Sequence, residues 1–378
     1  MEHVCSGMFA PTSASRAASP IPNRVARIVA AVVAAVAVAV AADPAAATGP
    51  HAAQLSATRC STHVVPVRTA DPGPHDQLIW GELCYRGEDP PETVQLLVHG
   101  ASYNHLYWDS PVQNNQYSYV RAATLAGYAT FSVDALGVGN SSVPPSSVLT
   151  IAAEAVALHD VITALRSGKA GSAFRHVIWV GHSLGSMDGI AVAARYRDID
   201  ALIVTGLLHG QSAEQSAALA AQVYPATDDP KFAASGLDSG YQTFRPGGRA
   251  QLFYDPSTAD PAILQMDEQT KDVVAFTTKL AEVAALLFPI RPEDGLTHEV
   301  NVPVLVVAGQ RDAMFCGADW IDCNSATAVR NYEAEHYGPN AHLQAVVIPA
   351  TGHCLTLSTT APLTHAAMLA WTYSAVRP

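Results

Sequence analysis

The chain has 378 residues, with 33 acidic against 21 basic side chains and a formal net charge of −12. That length suits one large α/β domain with an insertion, or two domains. The acidic balance argues against a nucleic-acid binder, which needs a basic footprint, and the apolar content is enough for a large core.

The first segment stands apart. Arg16, Arg24 and Arg27 precede an uninterrupted apolar run, Ile28–Ala42, and small residues follow at Ala45-Ala46-Ala47. A basic start, a short apolar run and an A-x-A-like site predict a signal peptide and processing region over residues 1–47. The run is shorter than the roughly 20 residues of a membrane span; an uncleaved anchor is the alternative. The mature chain is therefore expected to be secreted or periplasmic, with no stable membrane span after cleavage.

Cysteine usage agrees with export. Beyond Cys5 there are Cys60, Cys84, Cys316, Cys323 and Cys354. Two alternating runs, His63–Thr69 and Gln77–Tyr85, flank Asp71-Pro72-Gly73-Pro74 and predict an antiparallel hairpin. Opposite residues of such a hairpin share a constant index sum. Val65 with Ile79, Val67 with Gln77 and Cys60 with Cys84 all satisfy the same sum, so a Cys60–Cys84 disulfide is geometrically reasonable. Cys316 and Cys323 share one short loop and are expected to pair, leaving Cys354 odd. The alternative pairs Cys354 with one of them.

An apolar strand, Thr93–Val98, comes next and ends in His99-Gly100-Ala101-Ser102. An aromatic loop, Tyr103–Asp109, leads to a helix over about Gln116–Ala126 with Gly127 behind it. Tyr128–Val133 is the next strand, ending in Asp134 and a Gly-rich loop. Thr150 can cap a helix whose apolar positions Ile151, Ala155, Leu158, Ile162 and Leu165 hold helical spacing. His176–Val180 reads as a strand, Ser186–Tyr196 as a helix and Ala201–Thr205 as a strand. The rhythm then breaks. From residue 207 to 299 there are helical pieces, Pro-rich breaks and many aromatics, including Phe244, Phe253, Phe276 and Phe288. It resumes with the strand Val302–Val307, a helix around Ala326–Tyr337, the strand His342–Ile348 and a helix over Thr360–Val376. Strand–helix alternation predicts a mostly parallel, doubly wound sheet. Residues 48–206 and 300–378 form its two parts, and 207–299 form an inserted lid.

Between the strand His176–Val180 and its helix lies Gly181-His182-Ser183-Leu184-Gly185. A serine between two glycines at a strand-to-helix turn is a nucleophile elbow: side chains at Gly181 and Gly185 would collide, and the strained turn projects the serine hydroxyl above the sheet edge. A serine needs a base, usually a histidine oriented by a carboxylate. In open α/β sheets such groups gather at the carboxyl ends of strands. Asp312 and His353 follow predicted strands in the order acid then base. The two oxyanion donors of this arrangement are the N–H after the nucleophile, Leu184, and one from the loop after the third strand, Ala101.

Together, His99-Gly100, Asp134 with its Gly-rich loop, Gly181-His182-Ser183-Leu184-Gly185, Gly309-Gln310-Arg311-Asp312 and Gly352-His353 resemble the α/β-hydrolase superfamily, in particular its secreted bacterial esterase and lipase-like members. The resemblance covers about Thr93 to Pro378 apart from the lid. It implies the α/β-hydrolase fold with a cap after the sixth strand, Ser183 as nucleophile, Asp312 as acid and His353 as base. Ser183 departs from the Asp nucleophile of epoxide hydrolases and dehalogenases, and Ala101-Ser102 departs from the usual HG-x-P continuation.

The expected activity is hydrolysis of a small-molecule ester of medium size and apolar character. Amide, lactone or thioester cleavage on the same triad is the alternative, as is a non-catalytic binding protein on this scaffold. Tyr103, Tyr107, Trp108 and His182 are candidate substrate contacts. His99 is expected to pack under the oxyanion loop, Asp134 to tie its own loop, and Asp188 to be structural. His99 and His105 lack a third ligand at suitable spacing, so neither metal nor cofactor is expected.

Overall fold

The computed structural model describes residues 57–378, apart from 318 and 319; the expected signal peptide lies outside the described residues. Strands β1 (Thr58–Val67) and β2 (Gln77–Arg86) form the hairpin at one edge of the sheet. Their register places Cys60 opposite Cys84, Val65 opposite Ile79 and Val67 opposite Gln77, as the index sum requires. Cys60 and Cys84 are disulfide-bonded with Cα atoms 4.2 Å apart.

The remaining sheet strands are β3 (Thr93–Val98), β4 (Ala129–Val133), β5 (His176–His182), β6 (Ala201–Thr205), β9 (Val304–Gly309) and β10 (Gln344–Ile348). The eight strands are ordered β1-β2-β4-β3-β5-β6-β9-β10, antiparallel at the hairpin edge and parallel from β4 onward. Every residue of β3, β4, β6 and β9 is buried. That is why these strands read as continuous apolar runs rather than alternating ones: helices cover a parallel sheet.

The flanking helices of the core are α1 (Tyr119–Leu125), α2 (Ile151–Ser167) and α3 (Leu184–Arg195) before the insertion. The hydroxyls of Ser118 and Thr150 cap α1 and α2 at the N-terminus, and Gly168 closes α2 in the left-handed conformation.

β6 and β9 are adjacent and parallel, so residues 206–303 are an insertion between neighbouring strands. The insertion holds helices α4 (Ala213–Gln222), α5 (Gly248–Phe253), α6 (Pro261–Thr270) and α7 (Phe276–Leu287). It also holds a two-stranded sheet of β7 (Val223–Pro225) and β8 (Gln242–Phe244). Helices α8 (Ala326–Glu333) and α9 (Ala361–Ala375) complete the core. Cys316 is bonded to Cys323, and Cys354 is a buried free thiol. No helix among the described residues is long and apolar enough to cross a membrane.

Candidate active site

The chain turns at Ser183, between β5 and α3, with φ 51° and ψ −113°. A non-glycine residue there is strained, and such strain persists only where packing over-determines it. The flanking glycines show how. A Cβ on Gly181 would meet the backbone of Gly185 and Ser186, and one on Gly185 would meet the carbonyls of Val98 and His99. A Cβ on Gly100 would lie 3.1 Å from Cβ of Ser183. The elbow, the start of α3 and the loop after β3 are thus packed backbone to backbone.

Asp312 lies just beyond β9 and is buried. Its carboxylate accepts hydrogen bonds from Nδ1 of His353 (2.9 Å) and from the Met314 amide (2.8 Å). A carboxylate only accepts, so Nδ1 carries the proton and neutral His353 keeps Nε2 as an acceptor. The loop bearing His353 is held from two sides. A Cβ on Gly309 would meet the carbonyls of Thr351 and Gly352, and one on Gly352 would lie 2.7 Å from the Asp255 amide. The Cys354 amide donates to the Phe253 carbonyl (3.0 Å). The insertion therefore helps fix the histidine.

Ser183, Leu184, Ala101 and His353 line one cavity of about 220 Å³. Ser183 Oγ makes no hydrogen bond among the described residues, so its hydroxyl can rotate; contacts of this kind often tighten only when substrate binds. Neither the Ala101 nor the Leu184 amide donates to another described residue. Leu184 opens α3, where a helix has no internal acceptor for its N–H.

Around this group the polar atoms are arranged in detail. His99 Nε2 accepts from the Ala135 amide (3.1 Å), so Nδ1 bears the hydrogen and donates to the Gly100 carbonyl (2.8 Å). That carbonyl belongs to the same peptide as the Ala101 N–H, and chained hydrogen bonds strengthen one another. Burial holds the His99 pKa below its ordinary value, so the ring stays neutral. His182 is buried beneath His353, with ring centres 4.8 Å apart. Thr205 Oγ1 donates to the Gly181 carbonyl, so His182 Nδ1 must donate to Thr205 Oγ1 (3.3 Å). Burial first, then the neighbouring His353, pushes the His182 pKa well down.

Asp134 accepts from the amide and Nδ1 of His105 and from the Asn140 amide, tying two loops together. Burial alone would raise its pKa; the hydrogen bonds from His105 and Asn140 outweigh it and hold the carboxyl below its ordinary value.

The aromatic loop sits differently from the sequence expectation. Tyr103, Tyr107, Trp108 and His182 are all buried in the layer under the site and do not line the cavity. Tyr107 stacks on His182 with ring centres 4.2 Å apart, and Trp108 packs edge-on against Tyr107. Apolar rings next to a buried histidine bury more area facing inward than lining an open cavity. Cys354 lies in this layer too, with Sγ 2.9 Å from the Tyr103 hydroxyl, and burial pushes its thiol pKa well up.

The cavity wall comes mostly from the insertion, through Phe244, Phe253, Phe276, Leu280, Val283 and Leu287. The last four stand at helical spacing on one face of α7, a periodicity that the sequence carries and that marks an apolar helix face. The wall contains no lysine or arginine.

The sequence model of the Alpha/beta hydrolase family matches residues 95–365. The chain belongs to this family. Among solved structures, an esterase from Exiguobacterium antarcticum aligns at 16% identity, covering 82% of this chain and 98% of its own, with a TM-score of 0.55. A membrane phospholipase A described as a bacterial virulence factor aligns at 16% identity, covering 84% of this chain and 87% of its own, also at 0.55. A bromoperoxidase from Bacillus anthracis aligns at 17% identity, covering 82% and 99%, with a TM-score of 0.54. These likenesses establish an α/β-hydrolase fold with a mostly parallel central sheet; neighbours with such different reactions show that the fold alone does not choose the chemistry. No curated protein matches the chain in sequence.

Proposed function

We propose that this α/β hydrolase is an exported serine esterase that cleaves carboxylic esters of a medium-sized apolar substrate through an acyl-enzyme. One observation carries the reading. Ser183, on a strained left-handed turn, shares an apolar cavity with His353, whose Nδ1 is held by buried Asp312.

In this mechanism His353 Nε2 takes the proton of Ser183 as Oγ attacks the ester carbonyl. The oxyanion is received by the unengaged Leu184 and Ala101 N–H groups. Protonated His353 then passes its proton to the departing alcohol, and water repeats the sequence to release the acid. Asp312 fixes the tautomer and stabilises the imidazolium. The cavity's apolar wall favours an acyl or alkyl group over an anion, and residues 207–299 act as the lid that supplies that wall. Export is supported by the N-terminal sequence pattern and by the two disulfides, which persist in oxidising compartments.

Wild-type protein should hydrolyse p-nitrophenyl esters of medium chain length and be labelled by a fluorophosphonate probe. Ser183→Ala should lose labelling and reduce kcat by about 10⁴-fold or more. Full activity in that variant would refute the mechanism, and an unlabelled, inactive wild type would point to a binding protein.

A further inference from the structure

The loop after β3 has a feature that its own residues do not explain. Ser102, directly after the proposed donor Ala101, has φ 63°. Glycine or asparagine is the usual occupant of such a position. The turn is closed by the Tyr103 amide donating to the Gly100 carbonyl (3.2 Å). The Ser102 hydroxyl contributes nothing to this, because it is buried without a partner among the described residues. The Ser102 carbonyl instead receives two donors from the insertion. Arg249 Nη1 reaches it at 2.7 Å and the Asp272 amide at 2.8 Å.

Arg249 is on α5 and is 1% exposed. Its guanidinium pairs with Asp267 Oδ2 at 3.2 Å, also donates to the Asp267 carbonyl, and lies 4.6 Å over the Tyr103 ring. Its hydrogen-bond, ion-pair and ring partners among the described residues are Ser102, Tyr103 and Asp267, and its Nε has none. A buried ion pair is weak evidence for stability, since apolar replacements often do as well. What the guanidinium offers here is a planar, directional donor array.

We propose that Arg249 is a positioning residue for the oxyanion loop. By holding the Ser102 carbonyl it keeps the 100–103 turn in its strained form and so keeps the Ala101 N–H aimed at the site. The lid-forming insertion would then control the turnover step, as well as covering the substrate. This rests on the reading of Ala101 as an oxyanion donor.

The test compares wild type, Arg249→Met, Arg249→Lys and Lys279→Met. The last breaks a different buried pair, Lys279 of the insertion with Glu154 of α2, neither of which hydrogen-bonds residues 100–103. Two measurements are made on each: steady-state kinetics on a p-nitrophenyl ester, and hydrogen exchange of the peptide covering residues 99–108. Arg249→Met should lower kcat by about 10- to 100-fold, below the full loss of an oxyanion donor, with KM changed less than about twofold. The 99–108 amides should exchange faster. Arg249→Lys should recover part of kcat, because one ammonium donor can still serve the carbonyl. Lys279→Met should lower the thermal midpoint without that selective loss of kcat or of protection in 99–108. Unchanged kcat, or a loss in Arg249→Met no larger than in Lys279→Met, overturns the proposal. If wild-type protein shows no hydrolase activity, the esterase reading fails on its own. The exchange data then still decide whether Arg249 sets this turn, and unchanged protection overturns it.

Discussion

The sheet core and the inserted segment solve the same problem by different means. In the core, Ser183 and Asp312 follow strands that are buried along most of their length, His353 follows the edge strand β10, of which only Ile348 is buried, and β3, β4, β6 and β9 are buried at every residue. Glycines let backbones meet, so the site's geometry follows from packing. In the insertion, α4 buries no residue and α6 buries only Ile263 and Asp267. Beside buried apolar residues such as Tyr241, Phe244, Phe253 and Leu286, the insertion is held by buried ion pairs: Arg249 with Asp267, Lys271 with Asp229, and Lys279 with Glu154. Apolar packing tolerates substitution of similar volume, whereas a buried pair that loses one member leaves a charge stranded. The core should therefore keep its geometry under most changes, and the insertion should respond sharply to a few.

The largest effect that probes this contrast is in the core. Asp312→Asn keeps the size of the side chain but leaves one acceptor oxygen, which the Met314 amide also claims, and puts an NH2 donor and no charge beside His353. It should lower kcat by about 10⁴-fold while leaving the thermal midpoint and substrate KM close to wild type. A simultaneous collapse of stability would show that the core depends on charge as the insertion does.

Lys279→Met should act in the opposite way. Lys279 Nζ donates to Glu154 and to the Leu149 carbonyl, and Glu154 also lies beside buried Asp188. Removing the cation should destabilise the fold by about 3–5 kcal/mol in urea unfolding. A loss under about 1 kcal/mol would mean that apolar contacts, rather than this pair, anchor the helix.

The smallest effect lies where the two regions meet. Asp188 projects from α3, and burial, with the adjacent Glu154 charge, raises its pKa well above its ordinary value of 3.8. A group whose folded pKa is raised stabilises fully below its unfolded pKa and loses that contribution as pH rises through the folded value. The Asp188 contribution to stability should thus decline as pH rises above about 4, against the gain from the buried neutral His99 and His182. Asp188→Asn should flatten that decline. Equal slopes for the two proteins would assign the pH dependence to other groups.

Much of the core was legible in the sequence. Hairpin pairing followed from a constant index sum because an antiparallel register leaves no freedom once one pair is set. The bounds of β3 and β6 coincide with the expected Thr93–Val98 and Ala201–Thr205. Gly181 and Gly185 read correctly as steric necessities. The aromatic loop did not. Tyr103, Tyr107 and Trp108 carry the same apolar signal whether they face a cavity or a packed layer, and the buried ring of His182 decided the matter. The actual wall, the Phe276–Leu280–Val283–Leu287 face of α7, carried a period but no sign of what it would cover.

The sequence by itself determined the sheet strands, the elbow turn and the placing of Ser183, Asp312 and His353 beyond strand ends in that chain order. These depend on local sterics and on a period of two or 3.6 residues, which neighbours in the chain express directly. Only the tertiary structure decided which residues line the cavity beside Ser183 and what holds the loop next to it. Arg249 and Ser102 are separated by 147 positions, and neither residue type announces the other. Their contact exists because the insertion folds back over the strand ends, where a buried carbonyl must find a donor.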